Sequence, residues 1–179
     1  GVSGEKIIIE EFLEGEEISF FALVDINGFI LPLTTAQDHK KIGEGDLGLN
    51  TGGMGAFSPV PFMKQNQIND FIAIFVKPII NDLKNNGISF SGIFYAGLIM
   101  SNNGPKLLEI NVRFGDPEAQ AILPRLKTDL LDLLLGASQG RLNKFKNTEW
   151  DSNYCMNVVM ASKGYPESYK KNTIINGLN

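Results

Sequence analysis

Residues 107–120, LLEINVRFGDPEAQ, hold the densest set of reactive side chains in the chain. On an extended strand, residues two apart share a face. Glu109 and Asn111 therefore project together, Arg113 follows on the same side, and Leu108 and Ile110 point the other way into an expected core. A carboxylate and an amide oxygen side by side are hard ligands. They suit Mg²⁺, which takes few protein oxygens and fills its shell with phosphate and water. Asp116-Pro117-Glu118 has the form of a helix start, with Asp as N-cap and Pro at the first helical position. A helix N-terminus beside an arginine suits an anion. A plainer account also fits, in which Asp116 only caps and Arg113 only pairs with a neighbouring acid.

Other stretches carry weaker signals. Glu10, Glu11, Glu14, Glu16 and Glu17 crowd IEEFLEGEE, where like charges repel unless solvated or bound to something. GEGDLG at 43–48 matches G-x-G-x-x-G in letters, but DHKKI precedes it and LNTGG follows it, so the strand-turn-helix context of a dinucleotide site is missing. NTGGMG at 50–55 lacks the Gly-Lys-Ser/Thr ending of a P-loop; its glycines make either a close backbone approach to a ligand or a flexible loop. His39 lies between Asp38 and Lys40 with no serine or cysteine to activate, and reads as a polar turn residue rather than a catalytic base. The single cysteine, Cys155, excludes an internal disulfide and sits in YCMNVVMA, where a small buried residue is expected.

The elements that must position these residues read as follows. KIIIEEFL, EISFFALVD and GFILPLTT are β-rich runs separated by EGE and by an Asn27-Gly28 turn, which predicts an opening meander. From Ala36 to Pro61 periodicity fails, and a long glycine-rich loop is expected. Apolar residues from Ile68 to Leu83 recur at helical spacing up to Asn86-Gly87, with Pro78 predicting a kink or break. GIFYAGLIM and PKLLEINV form an expected hairpin, followed by helices near 117–126 and 128–138, the second of them buried. A polar linker is expected near 139–153, then a new apolar strand.

The net charge of −4 gives no electrostatic reason to expect a nucleic acid partner. No apolar run reaches the roughly 20 residues of a membrane helix, and a cytoplasmic protein is the default expectation.

Taken in order, IIIEEFLEGEEISF, TTAQDHKKIGEGDLGLNTGGMGAFSPVP, GIFYAGLIM and LLEINVRFGDPEAQAILPRLKTDLLDLL resemble the phosphoribosylamine–glycine ligases, also called glycinamide ribonucleotide synthetases, over roughly residues 5 to 170. The resemblance implies an α+β fold of ATP-grasp type, an antiparallel sheet with flanking helices. A partial ATP-grasp domain would occupy 1–150, and the start of a C-terminal lobe 151–179. It implies ATP and Mg²⁺, with Mn²⁺ as a possible substitute, and the substrates glycine and 5-phosphoribosylamine. Glu109 and Asn111 would be metal ligands, with Glu109 also on the nucleotide. Arg113 and Asp116 would serve the chemistry. Glu10, Glu11, Phe12 and Leu13 would line the adenine, and Glu17 the ribose. Asp38, Lys40, Gly52, Gly53, Met54 and Glu118 would face the substrates. In the family a glycine-rich N-terminal domain, a phosphate-contacting lysine and a mobile flap precede this segment, so the chain alone is expected to be inactive and to bind ATP weakly. Apolar edges covered by those parts in the family are expected to be exposed, favouring self-association; the oligomeric state itself is not specified. Two alternatives stand beside this reading: another ATP-grasp carboxylate-amine ligase, or a non-catalytic nucleotide-binding module.

Overall fold

A computed structural model describes residues 7–177. Its centre is β1 (Glu16–Val24), whose run of Ile, Phe, Leu and Val is buried on both faces. β1 pairs antiparallel with β2 (Ile30–Asp38) on one side and β6 (Gly92–Ser101) on the other. Asp25 makes the first connection tight: its Oδ1 accepts from the N–H groups of Asn27 and Phe29, both at 2.9 Å. Gly28 supplies the positive φ of +85° that the turn needs. β7 (Gly104–Asn111) completes the predicted hairpin with β6, while β5 (Gly55–Ser58) and β8 (Cys155–Val158) extend the other edge. The sheet order is β7-β6-β1-β2-β5-β8.

Each face carries one layer. Ile18, Phe20, Ala22 and Val24 of β1 pack with Phe94, Ala96 and Leu98 of β6 under α1 (Gln65–Phe71) and α2 (Lys77–Asn85). Pro78 falls in the first turn of α2, and the disturbance it causes is absorbed by a π-helical turn at Ile72–Val76. On the opposite face Phe21, Leu23, Leu31, Ile93 and Tyr95 pack with α3 (Glu118–Ile122) and α4 (Leu130–Ser138).

Several expectations need correction. Residues 7–13 form no strand, and Ile9 is 89% exposed. Both flanks of β1 are already taken, and propensity without a pairing partner does not make a strand. The stretch 36–61 is more ordered than its glycines suggested: after β2 it folds a small hairpin, β3 (Lys41–Gly43) and β4 (Leu47–Asn50), before β5. α4 is not wholly buried. Leu133 is enclosed, but Leu131 is 65% exposed. Cys155 is only half-buried, on an edge strand whose Met156 and Val158 face outward. Leu108 and Ile110 do not anchor a core: on the edge strand β7 they are 40% and 41% exposed.

The segment after α3 is tied back by one buried guanidinium. Arg125 Nη1 donates to Ser58 Oγ (2.9 Å), Nη2 to Asp151 O (2.9 Å) and Nε to Asn153 O (2.9 Å), with its face on the Trp150 ring. Arg125→Met would leave two carbonyls and two hydroxyls, those of Ser58 and Thr34, without this donor. A loss of about 2–4 kcal/mol is expected in urea unfolding, and Arg125→Lys should recover little of it, since an ammonium cannot span the same fork.

Candidate functional site

The site lies where β1, β2, β6 and β7 emerge from the second layer. A bulge decides what faces it. Gly97 pairs with Glu109 but Leu98 pairs with Leu107, so Leu108 is an extra residue in β7. Leu107 consequently packs into the first layer while Glu109 and Asn111 turn to the second. Opposite Glu109 stands Gly97, where a Cβ would come within 2.9 Å of Glu109 Cγ. The absent side chain lets the glutamate lie across the sheet.

Asn111, Arg113, Asp116 and Glu118 join Glu109, Asp38 and Lys40 around a cavity of about 80 Å³. Tyr95 borders it too, and a small adjoining cleft that shares Asp38, Lys40, Tyr95 and Glu109 with it adds Glu17 and Ser19 on the β1 side. Lys40 is the central cation, with Nζ 3.2 Å from Glu17 Oε2 and 4.0 Å from Glu109 Oε1. Burial pushes the Lys40 ammonium down, but Glu17, Glu109 and Asp38 outweigh it, and its pKa is raised. Arg113 Nη1 donates to Phe114 O at 2.9 Å, which steadies the guanidinium at the rim.

Glu118 is 3% exposed, at the start of α3. Ser19 Oγ donates to its Oε1 at 2.8 Å and lies 3.1 Å from Tyr95 OH. With the serine proton committed to the carboxylate, the tyrosine donates to the serine. Gly115 makes room for this, since a Cβ there would run into the Glu118 carboxylate. Burial is the main cause of the raised Tyr95 pKa. Asp116 does not cap α3, and Pro117 takes the N-cap position; Asp116 Oδ1 accepts from Gln120 Nε2 at 2.7 Å instead. With five residues, α3 offers no extended N-terminal dipole.

The glycine-rich loop is held against β2. Thr51 N and Oγ1 donate to Lys40 O (2.7 and 2.8 Å), and Met54 N donates to His39 O (2.8 Å). Gly53 has φ +120°, and a Cβ there would collide with Pro117 Cδ and lie 2.8 Å from Asp38 Oδ1. Gly52 N donates to the Tyr165 hydroxyl at 3.3 Å. Met54 is tied to His39 through its backbone N–H, and His39 turns its ring to Phe57.

Asp38 Oδ1 is buried without a hydrogen-bond donor among the described residues. Burial, and then the neighbouring Glu118, push the Asp38 carboxyl up to about 7 against the pull of Lys40.

The cavity thus gathers Glu17, Asp38, Lys40, Glu109, Asn111, Arg113, Asp116 and Glu118, with Gly52 on its border. It does not gather Glu10, Glu11, Phe12 and Leu13. Glu11 pairs with Lys106 (2.6 Å) near the start of β7, and Phe12 is exposed. Ser19, Tyr95, Gly97 and Tyr165 were not foreseen. The available signals were a serine within the apolar run of β1 and a glycine inside GIFYAGLIM. For a metal, the donors on offer are the Glu109 carboxylate and the Asn111 amide, both hard oxygens. Among the described residues no three acidic, histidine or cysteine groups converge as a metal cluster. The pair therefore fits an ion whose remaining ligands come from a phosphate and water.

Asp38→Asn gives a test of the electrostatics. A carboxyl raised in the fold destabilises it only where the unfolded chain is ionised, so its penalty is absent below about pH 4 and complete above about pH 7. The Tm of Asp38→Asn relative to the parent is expected to be higher at about pH 8 than at about pH 4, by calorimetry at both.

Known proteins resemble the chain over nearly its whole length. Residues 1–119 match the family described as phosphoribosylglycinamide synthetase, ATP-grasp (A) domain. The chain is 46% identical over 178 residues to a phosphoribosylamine–glycine ligase of Rhizobium meliloti (strain 1021), covering 99% of this chain and 42% of that protein. It is 49% identical over 180 residues to one of Vigna unguiculata, covering 99% of this chain and 57% of that protein. The crystal structure of the phosphoribosylamine–glycine ligase of Thermotoga maritima superposes with a TM-score of 0.79 at 30% identity, over 90% of this chain and 40% of that one. N5-carboxyaminoimidazole synthetase of Staphylococcus aureus, solved with ADP, shares the fold at a TM-score of 0.51 and 16% identity, over 74% of this chain and 32% of that one. The chain spans 42% and 57% of the length of the two curated relatives.

Proposed function

Because the chain belongs to the phosphoribosylglycinamide synthetase ATP-grasp family, we propose that it supplies one side of the site of a carbon-nitrogen ligase. That ligase joins glycine to 5-phosphoribosylamine with ATP and releases glycinamide ribonucleotide, ADP and phosphate. The observation that carries this is the convergence of Glu109, Asn111 and Arg113 on one cavity with Asp38, Lys40 and Glu118. In this reaction the glycine carboxylate attacks the γ-phosphate, and the resulting acyl phosphate is taken by the amine. The first step moves negative charge from one oxygen to another, and the second leaves it on the departing phosphate while the attacking nitrogen gives up a proton, so alignment and fixed positive charge matter more than covalent help from the protein.

Glu109 and Asn111 would hold a divalent metal, Mg²⁺ or Mn²⁺, whose charge would offset that of the ATP phosphates. Arg113 would place its free N–H groups toward the transferring phosphoryl group, where a guanidinium stabilises charge that grows in the transition state. Lys40 would balance the carboxylates of Glu17 and Glu109 and keep both oriented. Asp116, at the same rim, would face the incoming amine. The Gly52, Gly53 and Met54 loop, seated on Asp38 and the Pro117 turn, would form the substrate wall. Glu10, Glu11, Phe12 and Leu13 would contribute to the adenine end and Glu17 to the ribose. In this proposal residues 1–150 form the ATP-grasp portion, and 151–179 open a further lobe whose first strand, β8, hydrogen-bonds to β5.

Calorimetric titration with Mg²⁺-ATP tests the nucleotide assignment. Metal-dependent binding is expected, weakened about tenfold or more in Glu109→Ala, equivalent to at least about 1.4 kcal/mol. Binding that is indifferent to metal and to Glu109 would refute the assignment. The 179-residue chain alone is expected to show no ligation. Placed in the Rhizobium meliloti ligase in exchange for the matching segment, it is expected to support glycine-dependent formation of ADP.

A further inference from the structure

The amine that attacks an acyl phosphate carries one proton too many once the new bond forms, and some group must take it. Five carboxylates border the cavity, and four of them are engaged. Glu17 is paired with Lys40, Asp116 accepts from Gln120, Glu118 accepts from Ser19, and Glu109 stands beside Lys40 next to Asn111. His39 faces Phe57 and does not border the cavity. Among the described residues, Asp38 Oδ1 is the one buried side-chain oxygen or nitrogen without a hydrogen-bond partner, although the His39 backbone N–H acts on the same carboxyl. It is the next-but-one neighbour of Lys40 on the chain, and Gly53 approaches it so closely that a Cβ there would stand 2.8 Å from Oδ1.

On the reading that this is a glycine ligase site, we propose that Asp38 is the catalytic residue that accepts the proton of the attacking amine, and that the buried chain Tyr95–Ser19–Glu118 positions the wall opposite it. The amine lone pair forms the C–N bond to the acyl carbon. The C–O bond to phosphate breaks, phosphate leaves with that electron pair, and the surplus proton on nitrogen passes to the Asp38 carboxylate. The groups facing Asp38 suit it to this role. Glu118 from α3 and Glu17 from β1 repel its charge, Lys40 attracts it, and Tyr95 borders the same space. With burial they hold the carboxyl at about 7, where it can take a proton and release it again near neutral pH.

The test uses the chain in place of the matching segment of the Rhizobium meliloti ligase, with and without Asp38→Asn and Asp38→Glu. Amide formation with 5-phosphoribosylamine is expected to fall about 10²- to 10⁴-fold in Asp38→Asn. The rise in kcat through about pH 7 is expected to disappear in Asp38→Asn and return in part in Asp38→Glu. Trapping of the acyl phosphate with hydroxylamine should fall far less, because the electronegative oxygen makes its N-acylated adduct acidic enough to lose the surplus proton to water without a protein base. Equal loss of both reactions in Asp38→Asn, or a pH limb that survives it, would overturn the proton role while leaving the ligase reading in place. Absence of hydroxamate from the unsubstituted protein would instead remove the ligase reading and this proposal with it. Should the Asn variant fail to fold, the carboxyl carbon of Asp38 in the 179-residue chain can be followed directly by ¹³C NMR. A titration midpoint near 7 supports the assignment, and one below about 5 overturns it.

Discussion

β1 has neither a free flank nor a free face, and most of the molecule follows from that. Its two edges are paired with β2 and β6, and its two surfaces are covered by separate layers. Phe20 meets Phe71 edge-on in one layer, at 5.7 Å between centroids, and Phe21 meets Tyr95 edge-on in the other, at 5.1 Å. Polar side chains cannot sit along such a strand without partners. Polar chemistry is therefore confined to the end that leaves the core, where Glu17 is exposed and Ser19 is satisfied by Glu118 and Tyr95. The neighbouring strands bring Gly97, Glu109 and Asn111 to the same end, because register carries position across a sheet.

The charge held there is unequal. Glu17, Asp38, Glu109, Asp116 and Glu118 surround a space with Lys40 and Arg113 as its cations. The two Lys40 contacts are half-exposed, and pairs of that kind contribute at most about 1 kcal/mol. They cannot account for so many acids in one place as a stabilising feature. A fold arranged for stability alone would spread these charges. Here glycines at 53, 97 and 115 leave out side chains that would run into Asp38, Glu109 and Glu118 respectively. Backbone restraint is thus given up at the positions where these acids pack against the main chain.

How much of this was readable beforehand depends on range. The β1–β2 turn, the β6–β7 hairpin and the helices after β7 are set by contacts within a few residues, and pattern located them. The same-face placement of Glu109 and Asn111 needed only the two-residue period of a strand. The bulge at Leu108 was not legible, since it is defined by pairing with Gly97 and Leu98 on another strand. The capping reading of Asp116 failed for a local reason. Asp-Pro-Glu has the letters of a cap, but Pro117 takes the N-cap position, and the Asp116 carboxylate is used by Gln120 one turn on.

The misplaced apolar residues teach a related lesson. Ile9, Leu131 and Leu108 sit in runs as hydrophobic as β1, yet they are open to solvent. Period and composition state what a segment could bury; only a covering element decides whether it does. β1 is buried because two layers close over it, and β7 is half-open because it lies at an edge. Among the described residues β7 pairs with β6 alone, and the bulge at Leu108 is what turns Glu109 and Asn111 toward the cavity.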